Sequence, residues 1–140
     1  MNRAIPAACL ALAALAVPAS AQSEPSVQNG IVYTVTTSGP NGLEAACTIV
    51  ADRWTADYGP TTVRAVASAP NSIQTRIHCW VTKSYTTYVD VDRTAYGSSY
   101  VLVNQGAGTI PVAGIKVCVE AEAQLTVDAH PVAPMRCINA

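Results

Sequence analysis

The 140-residue chain contains no phenylalanine, only two histidines, and few charged residues, which make up 12% of the sequence. Typical soluble proteins are about one-quarter charged, so the surface of this protein must consist mainly of Thr, Ser, Asn, Gln and Tyr. The formal net charge is −1, and no basic run stands out. This scarcity of cations argues against nucleic acid and against an anionic membrane surface as partners.

An apolar run at the N-terminus is too short to anchor the chain in a bilayer. Arg3 precedes this run, Ala7 to Val17, and the small residues Ala19-Ser20-Ala21 follow it. The pattern predicts a secretory signal peptide over residues 1–21 and one mature domain over residues 22–140. We therefore expect a secreted protein, extracellular or in the periplasm or cell envelope, without a membrane anchor.

No segment has the periodicity of an amphipathic helix, whereas Ile115 to Asp128 (IKVCVEAEAQLTVD) alternates strictly between apolar and polar residues. Side chains on a strand alternate between two faces, so this stretch is expected to be a long, half-buried antiparallel strand. Further β-rich segments, bounded by turn residues, are 31–37, 45–54, 61–68, 72–84, 86–93, 100–104, 109–112 and 135–139. Such spacing predicts an all-β fold, a two-layer antiparallel β-sandwich of about seven to nine strands.

Four cysteines lie beyond the predicted signal peptide: Cys47, Cys79, Cys118 and Cys137. An even number in an exported chain predicts two disulfides, and the absence of a C-x-x-C pair argues against zinc. Cys47 and Cys79 share the apolar sides of their strands, whereas Cys118 shares the polar side with Lys116. Because a bridge needs Cβ atoms about 4 Å apart, this parity pairs Cys47 with Cys79 and Cys118 with Cys137. An immunoglobulin-type bridge, Cys47–Cys118, is the alternative.

The cysteine-bearing segments CTIV, IHCWV, GIKVCVEAEAQLTVD and MRC resemble those of small secreted proteins of high-GC bacteria. Those proteins consist of a signal peptide and an Ig-like β domain. The resemblance covers most of Cys47 to Cys137 and rests on cysteine spacing and strand alternation. It implies an Ig-like sandwich and an exported protein, and it implies no activity.

Neither histidine has the sequence context of a catalytic base. His78 lies on the polar side of its strand, His130 lies in a turn, and no GxSxG motif surrounds a serine near either residue. Cysteines that are all bridged have no thiolate with which to attack a substrate. We therefore expect no catalytic residue and no enzyme activity.

Two acidic pairs, Asp90 with Asp92 and Glu120 with Glu122, each place two carboxylates on one face of a strand. Such pairs can bind a cation or act as an acid and a base. Calcium, however, requires six to eight oxygens from a flexible loop, and acidic residues on strands more often keep a sheet edge from pairing. We expect no metal site and no cofactor.

Aromatic residues are concentrated between positions 80 and 100, and these are Trp80, Tyr85, Tyr88, Tyr96 and Tyr100. Exposed Trp and Tyr mark interaction surfaces, although in a chain without Phe they can also fill the core. The leading hypothesis is a non-catalytic extracellular binding or structural module for protein or glycan, monomeric or weakly oligomeric, with these five residues as candidate binding residues.

Two alternatives come from other functional classes. One is a secreted enzyme inhibitor that presents the loop Asp57-Tyr58-Gly59-Pro60, since a disulfide scaffold preorders such a loop and lowers the cost of binding. The other is a small secreted hydrolase built around His78 or His130.

Overall fold

A computed structural model describes residues 31–51, 58–111 and 113–139. The predicted signal peptide lies outside these ranges. The described residues form eight strands: β1 (Ile31–Ser38), β2 (Glu44–Ala51), β3 (Tyr58–Ser68), β4 (Gln74–Lys83), β5 (Thr86–Tyr96), β6 (Tyr100–Pro111), β7 (Lys116–Gln124) and β8 (Val132–Asn139). A 3-10 turn, Pro40–Gly42, connects β1 to β2. Within the described ranges, no helix has the length and apolar character needed to cross a membrane.

The strands form two four-stranded antiparallel sheets. Sheet A has the order β1-β2-β3-β6, and sheet B has the order β5-β4-β7-β8. Strand β4 shows why two layers form, since its odd-numbered residues Thr75, Ile77, Cys79 and Val81 are buried while its even-numbered residues are only half-buried. Each sheet therefore has one apolar face, and the two apolar faces pack against each other. The predicted all-β, two-layer antiparallel sandwich is confirmed.

The core consists of aliphatic side chains and one disulfide. Its largest fully buried side chains include Leu43, Ile49, Ile77, Ile110 and Ile115. No aromatic ring is fully buried among the described residues, although Tyr33 and Tyr88 pack against the core. The stability of the core therefore depends on many aliphatic side chains, of which a fully buried Val or Ile contributes about 1.5–3 kcal/mol. Cross-links therefore matter for the stability of a domain of this size.

Both predicted disulfides are confirmed, and the immunoglobulin-type alternative is excluded. Cys47 on β2 and Cys79 on β4 are fully buried and join the two sheets through the core, with Cα atoms 5.9 Å apart. Cys118 and Cys137 are register partners on β7 and β8, with Cα atoms 4.1 Å apart. Cys118 is buried although its side chain is on the outer face of sheet B, between its neighbours Trp80 and Cys137 in the ladder.

The predicted strand Ile115 to Asp128 is shorter in the structure, since β7 ends at Gln124. Beyond that residue the backbone amide of Leu125 donates to the carbonyl oxygen of Ala129 (2.8 Å), which closes a turn. The apolar–polar alternation continues through this turn, so periodicity alone overestimates the strand.

Strand β3 begins earlier than predicted. Tyr58, Gly59 and Pro60, which the enzyme-inhibitor alternative assigns to its presented loop, pair with Pro111, Ile110 and Thr109 at the end of β6. Asp57 lies outside the described residues. The backbone at positions 58–60 is therefore part of sheet A, and the short segment 109–112 is largely a continuation of β6.

The first strand of sheet A and the last strand of sheet B lie side by side at one edge of the sandwich. The Thr37 hydroxyl donates to the carbonyl oxygen of Pro134 on β8 (2.6 Å). At Gly39 the approach is so close that an added Cβ would overlap the carbonyl oxygen of Val132. The Arg136 side chain of β8 therefore lies near Thr36 and Ser38 of β1.

Candidate functional site

The five aromatic candidates do not share one surface. Trp80 is half-buried on the outer face of sheet B, whereas Tyr100 is 46% exposed on the outer face of sheet A. Tyr85 is fully exposed in the β4–β5 turn, and Tyr96 is exposed at the opposite end of β5. Tyr88 packs against the core. A binding role for these residues stays a prediction, but they cannot form a single contact patch.

Both histidines already have polar neighbours. On the outer face of sheet B, Nε2 of His78 lies 2.7 Å from Oδ1 of Asp90, and Nδ1 lies 3.2 Å from Oε1 of Glu120. His78 therefore leaves no ring nitrogen free to activate a hydroxyl nucleophile. Nε2 of His130 lies 2.9 Å from the carbonyl oxygen of Val127, in the turn that follows β7.

The two acidic pairs come together around His78 and Arg76. The Arg76 guanidinium donates from Nε to Oδ1 of Asp92 (2.8 Å) and from Nη1 to Oε1 of Glu122 (3.4 Å). Its hydrogen bonds lower the pKa of the Asp92 carboxyl and, reciprocally, the carboxylate raises the pKa of Arg76. The His78 ring stacks on Trp80 with centroids 4.2 Å apart. These carboxylates are paired with cationic or imidazole side chains, and no group of His, Cys, Asp or Glu within the described ranges is arranged to hold a metal ion.

A groove of about 560 Å³ lies on the outer face of sheet A. Two cross-strand rows form its floor, each with one residue from β1, β2 and β3. The rows are Thr36–Ala46–Val66 and Ser38–Glu44–Ser68. Ala46 and the two serines are short, so the sheet surface is low here and leaves space above it.

Larger side chains stand at the two borders of the groove. On the β6 side, the same rows continue to Leu102 and Tyr100, which are 45% and 46% exposed. On the β1 side, Arg136 of β8 lines the groove. In the part of the chain that the structure describes, no ion pair or hydrogen bond engages the side chains of Arg136 or Glu44. The groove thus combines an apolar patch of Ala46 and Val66, hydroxyl groups, and two charges of opposite sign that have no partner among the described residues.

Sequence reasoning did not identify this groove. Arg136 was noted only as part of the terminal strand, and the outward-facing Thr36, Ala46 and Val66 were not considered as a surface. A signal was present in the parity of β1, β2 and β3, which places small or hydroxylated residues on an outer face where charged residues are usual. Tyr100 does not line the groove, but it is the aromatic candidate that is next in register to a floor residue, Ser68.

Comparison of the chain with protein-family models, with curated proteins and with solved structures finds no match. The resemblance to small Ig-like secreted proteins therefore stays a prediction, and the function must be argued from the geometry of the described residues.

Proposed function

We propose that this protein is a non-catalytic extracytoplasmic module that binds a protein or a glycan through the groove on sheet A. The observation that carries the proposal is the groove itself, whose volume of about 560 Å³ falls within the range of about 300–1,000 Å³ typical of small-molecule sites. Two intrachain disulfides fit a protein that folds in an oxidising compartment outside the cytoplasm.

The chemistry of the groove favours binding over catalysis. Its lining residues include the hydroxyls of Thr36, Ser38 and Ser68, but no histidine lies among them. A hydroxyl is a weak nucleophile unless an adjacent base takes its proton. His78, the obvious base, is on the other sheet and is held between two carboxylates. The groove can therefore donate and accept hydrogen bonds, which is what a binding site needs.

The scaffold also suits binding. The floor residues belong to strands, and β2 and β3 are interior strands of sheet A with partners on both sides. The Cys47–Cys79 bridge ties β2 to sheet B directly below the groove. Because these side chains are positioned before a ligand arrives, little conformational entropy is lost on binding.

The proposal is tested by capture from the cell envelope. The exported, oxidised protein is immobilised and incubated with envelope fractions of the producing cell, and bound proteins and polysaccharides are identified by mass spectrometry. Ala46→Met fills the floor of the groove without a change of charge, so we expect it to reduce capture by at least about tenfold. Trp80→Ala, on the opposite face of the sandwich, is the control and should leave capture unchanged.

Two outcomes would contradict the proposal. Capture that Trp80→Ala abolishes and Ala46→Met leaves intact would place binding on sheet B. Capture of no specific component by the folded protein would remove the binding function as proposed.

A further inference from the structure

We infer that the groove on sheet A binds an acidic saccharide whose carboxylate is held by Arg136. This inference rests on the proposed binding function and names its ligand class.

The unpaired guanidinium of Arg136 provides the first argument. A guanidinium presents parallel N–H donors that match the two oxygens of a carboxylate. The donors of Arg76 are already used by Asp92 and Glu122, whereas Arg136 is exposed and has no partner among the described residues. Arg136 is also the cation that lines the groove. A carboxylate at this border would therefore gain charge-assisted hydrogen bonds without breaking an existing ion pair.

A polar row that crosses the groove favours a ligand with several hydroxyl groups. Ser38, Glu44 and Ser68 are register partners on neighbouring strands, about 4.8 Å apart from one strand to the next. The serines can donate and accept hydrogen bonds, and the Glu44 carboxylate accepts them. A ligand with several hydroxyl groups satisfies such a row. Glu44 also repels a second anionic group, so a ligand with one carboxylate among hydroxyls fits better than a densely charged polyanion.

The row that contains Ala46 and Val66 favours a ligand with an apolar face. Ala46 and Val66 form a low, flat surface that the C–H face of a sugar ring can cover. In register, this row continues to the exposed Leu102, and the polar row continues to the exposed Tyr100. Aromatic side chains with a polar group are suited to a ligand that is apolar on one side and hydrated on the other.

The same geometry argues against a peptide. Extended peptides usually bind to sheets by adding a strand at an unpaired edge. The floor of the groove spans β1, β2 and β3; the backbones of β2 and β3 already pair on both sides, and the outer edge of β1 lies against β8. A ligand here contacts side chains and not unpaired backbone groups. A hydroxylated ring can form hydrogen bonds with such side chains better than a peptide backbone can.

Isothermal titration calorimetry with three oligosaccharides of equal length tests the inference. The probes are a galacto-oligosaccharide that ends in a single galacturonic acid residue, its methyl ester, which keeps the hydroxyls but lacks the charge, and the unmodified neutral galacto-oligosaccharide. We expect binding of the acidic probe, and binding at least about tenfold weaker for the ester and for the neutral probe. Arg136→Gln should weaken binding of the acidic probe by at least about tenfold, and Arg136→Lys, which keeps the charge but lacks the paired N–H donors, by less.

Arg64→Gln is the matched control, because Arg64 is an exposed arginine on the same outer face of sheet A but does not line the groove. It should change the affinity by less than about twofold. Equal losses for Arg64→Gln and Arg136→Gln would show diffuse electrostatic attraction and overturn the inference, as would equal binding of the acid and its ester. Thermal unfolding of each variant establishes that it is folded.

The experiments distinguish an error in the ligand class from an error in the proposed binding function. If no saccharide binds, but envelope capture persists and is lost in Ala46→Met, the ligand class is wrong and the proposed function stands. If the folded protein neither binds a saccharide nor captures an envelope component, both are wrong.

Discussion

Removing the Cys118–Cys137 bridge tests how strand β8 is held against sheet B. The bridge has a sequence separation of 19 residues, for which the chain-entropy model gives a stabilisation of about 3 kcal/mol. Cys118 is buried, so the double variant Cys118→Ala/Cys137→Ala also loses a small amount of packing. We expect the free energy of unfolding to fall by about 3–4 kcal/mol in total.

Urea unfolding followed by far-UV circular dichroism measures this loss. In a domain of this size the corresponding fall in melting temperature is about 10–20 °C. The core bridge provides the comparison. Its separation is 32 residues and both of its cysteines are fully buried, so Cys47→Ala/Cys79→Ala should lose about 4 kcal/mol from chain entropy plus the cost of a cavity between the sheets. A loss below about 1 kcal/mol at β8, or one larger than at the core bridge, would refute this reasoning.

Two further changes probe the edge of the sandwich and the charged face. Gly39 has an extended backbone (φ −135°), so Gly39→Ala causes no conformational strain, but its methyl group overlaps the Val132 carbonyl oxygen. We expect the free energy of unfolding, measured by thermal unfolding, to fall by about 1–3 kcal/mol. In the control Gly106→Ala an added Cβ meets nothing, and the fall should be less than about 0.5 kcal/mol. The hydrogen bonds from Arg76 lower the pKa of Asp92 in the folded state. They therefore stabilise the fold fully above the pKa of Asp92 in the unfolded chain, about 4, and this stabilisation is lost as the pH falls through the lower pKa of the folded state. Because both side chains are partly exposed, Asp92→Asn should lower the free energy of unfolding by at most about 1 kcal/mol at pH 7. If urea unfolding at pH 2 shows the same difference in stability between the variant and the parent protein, this assignment is wrong.

Side-chain parity explains why so much of the fold could be predicted. Burial of one strand face is a property of alternate residues in the sequence, so Cys47 beside Ile49 and Cys79 beside Ile77 identify two inward-facing cysteines without knowledge of the strand order. Once these two cysteines are paired, Cys137 is the cysteine that remains to pair with the outward-facing Cys118. Strand ends are different, because a hydrogen-bonded turn, such as the one at Leu125, is decided by the backbone while the side-chain alternation continues.

Strand order explains why the site could not be predicted. Trp80 and Tyr100 are close in sequence, but β4 belongs to sheet B and β6 to sheet A, so the two rings are on opposite faces of the sandwich. Conversely, Arg136 and Thr36 are far apart in sequence and line one groove, because β8 lies beside β1 where the sheet edges meet. Periodicity specifies which face of a strand is buried, and it contains no information about which strands are neighbours.

The two outer faces of the sandwich also differ in what they can still offer a ligand. On sheet B, Arg76 and His78 are engaged by neighbouring carboxylates, so a partner would have to displace bonds that are already formed. At the groove on sheet A, Arg136 of β8 and Glu44 of β2 have no partner among the described residues and line a cavity. A ligand there replaces only water, and its charge-assisted hydrogen bonds are strong relative to what is lost. Although sheet B carries more charge, the free energy available for recognition is therefore greater on sheet A, and this difference is why we place the binding site in the groove.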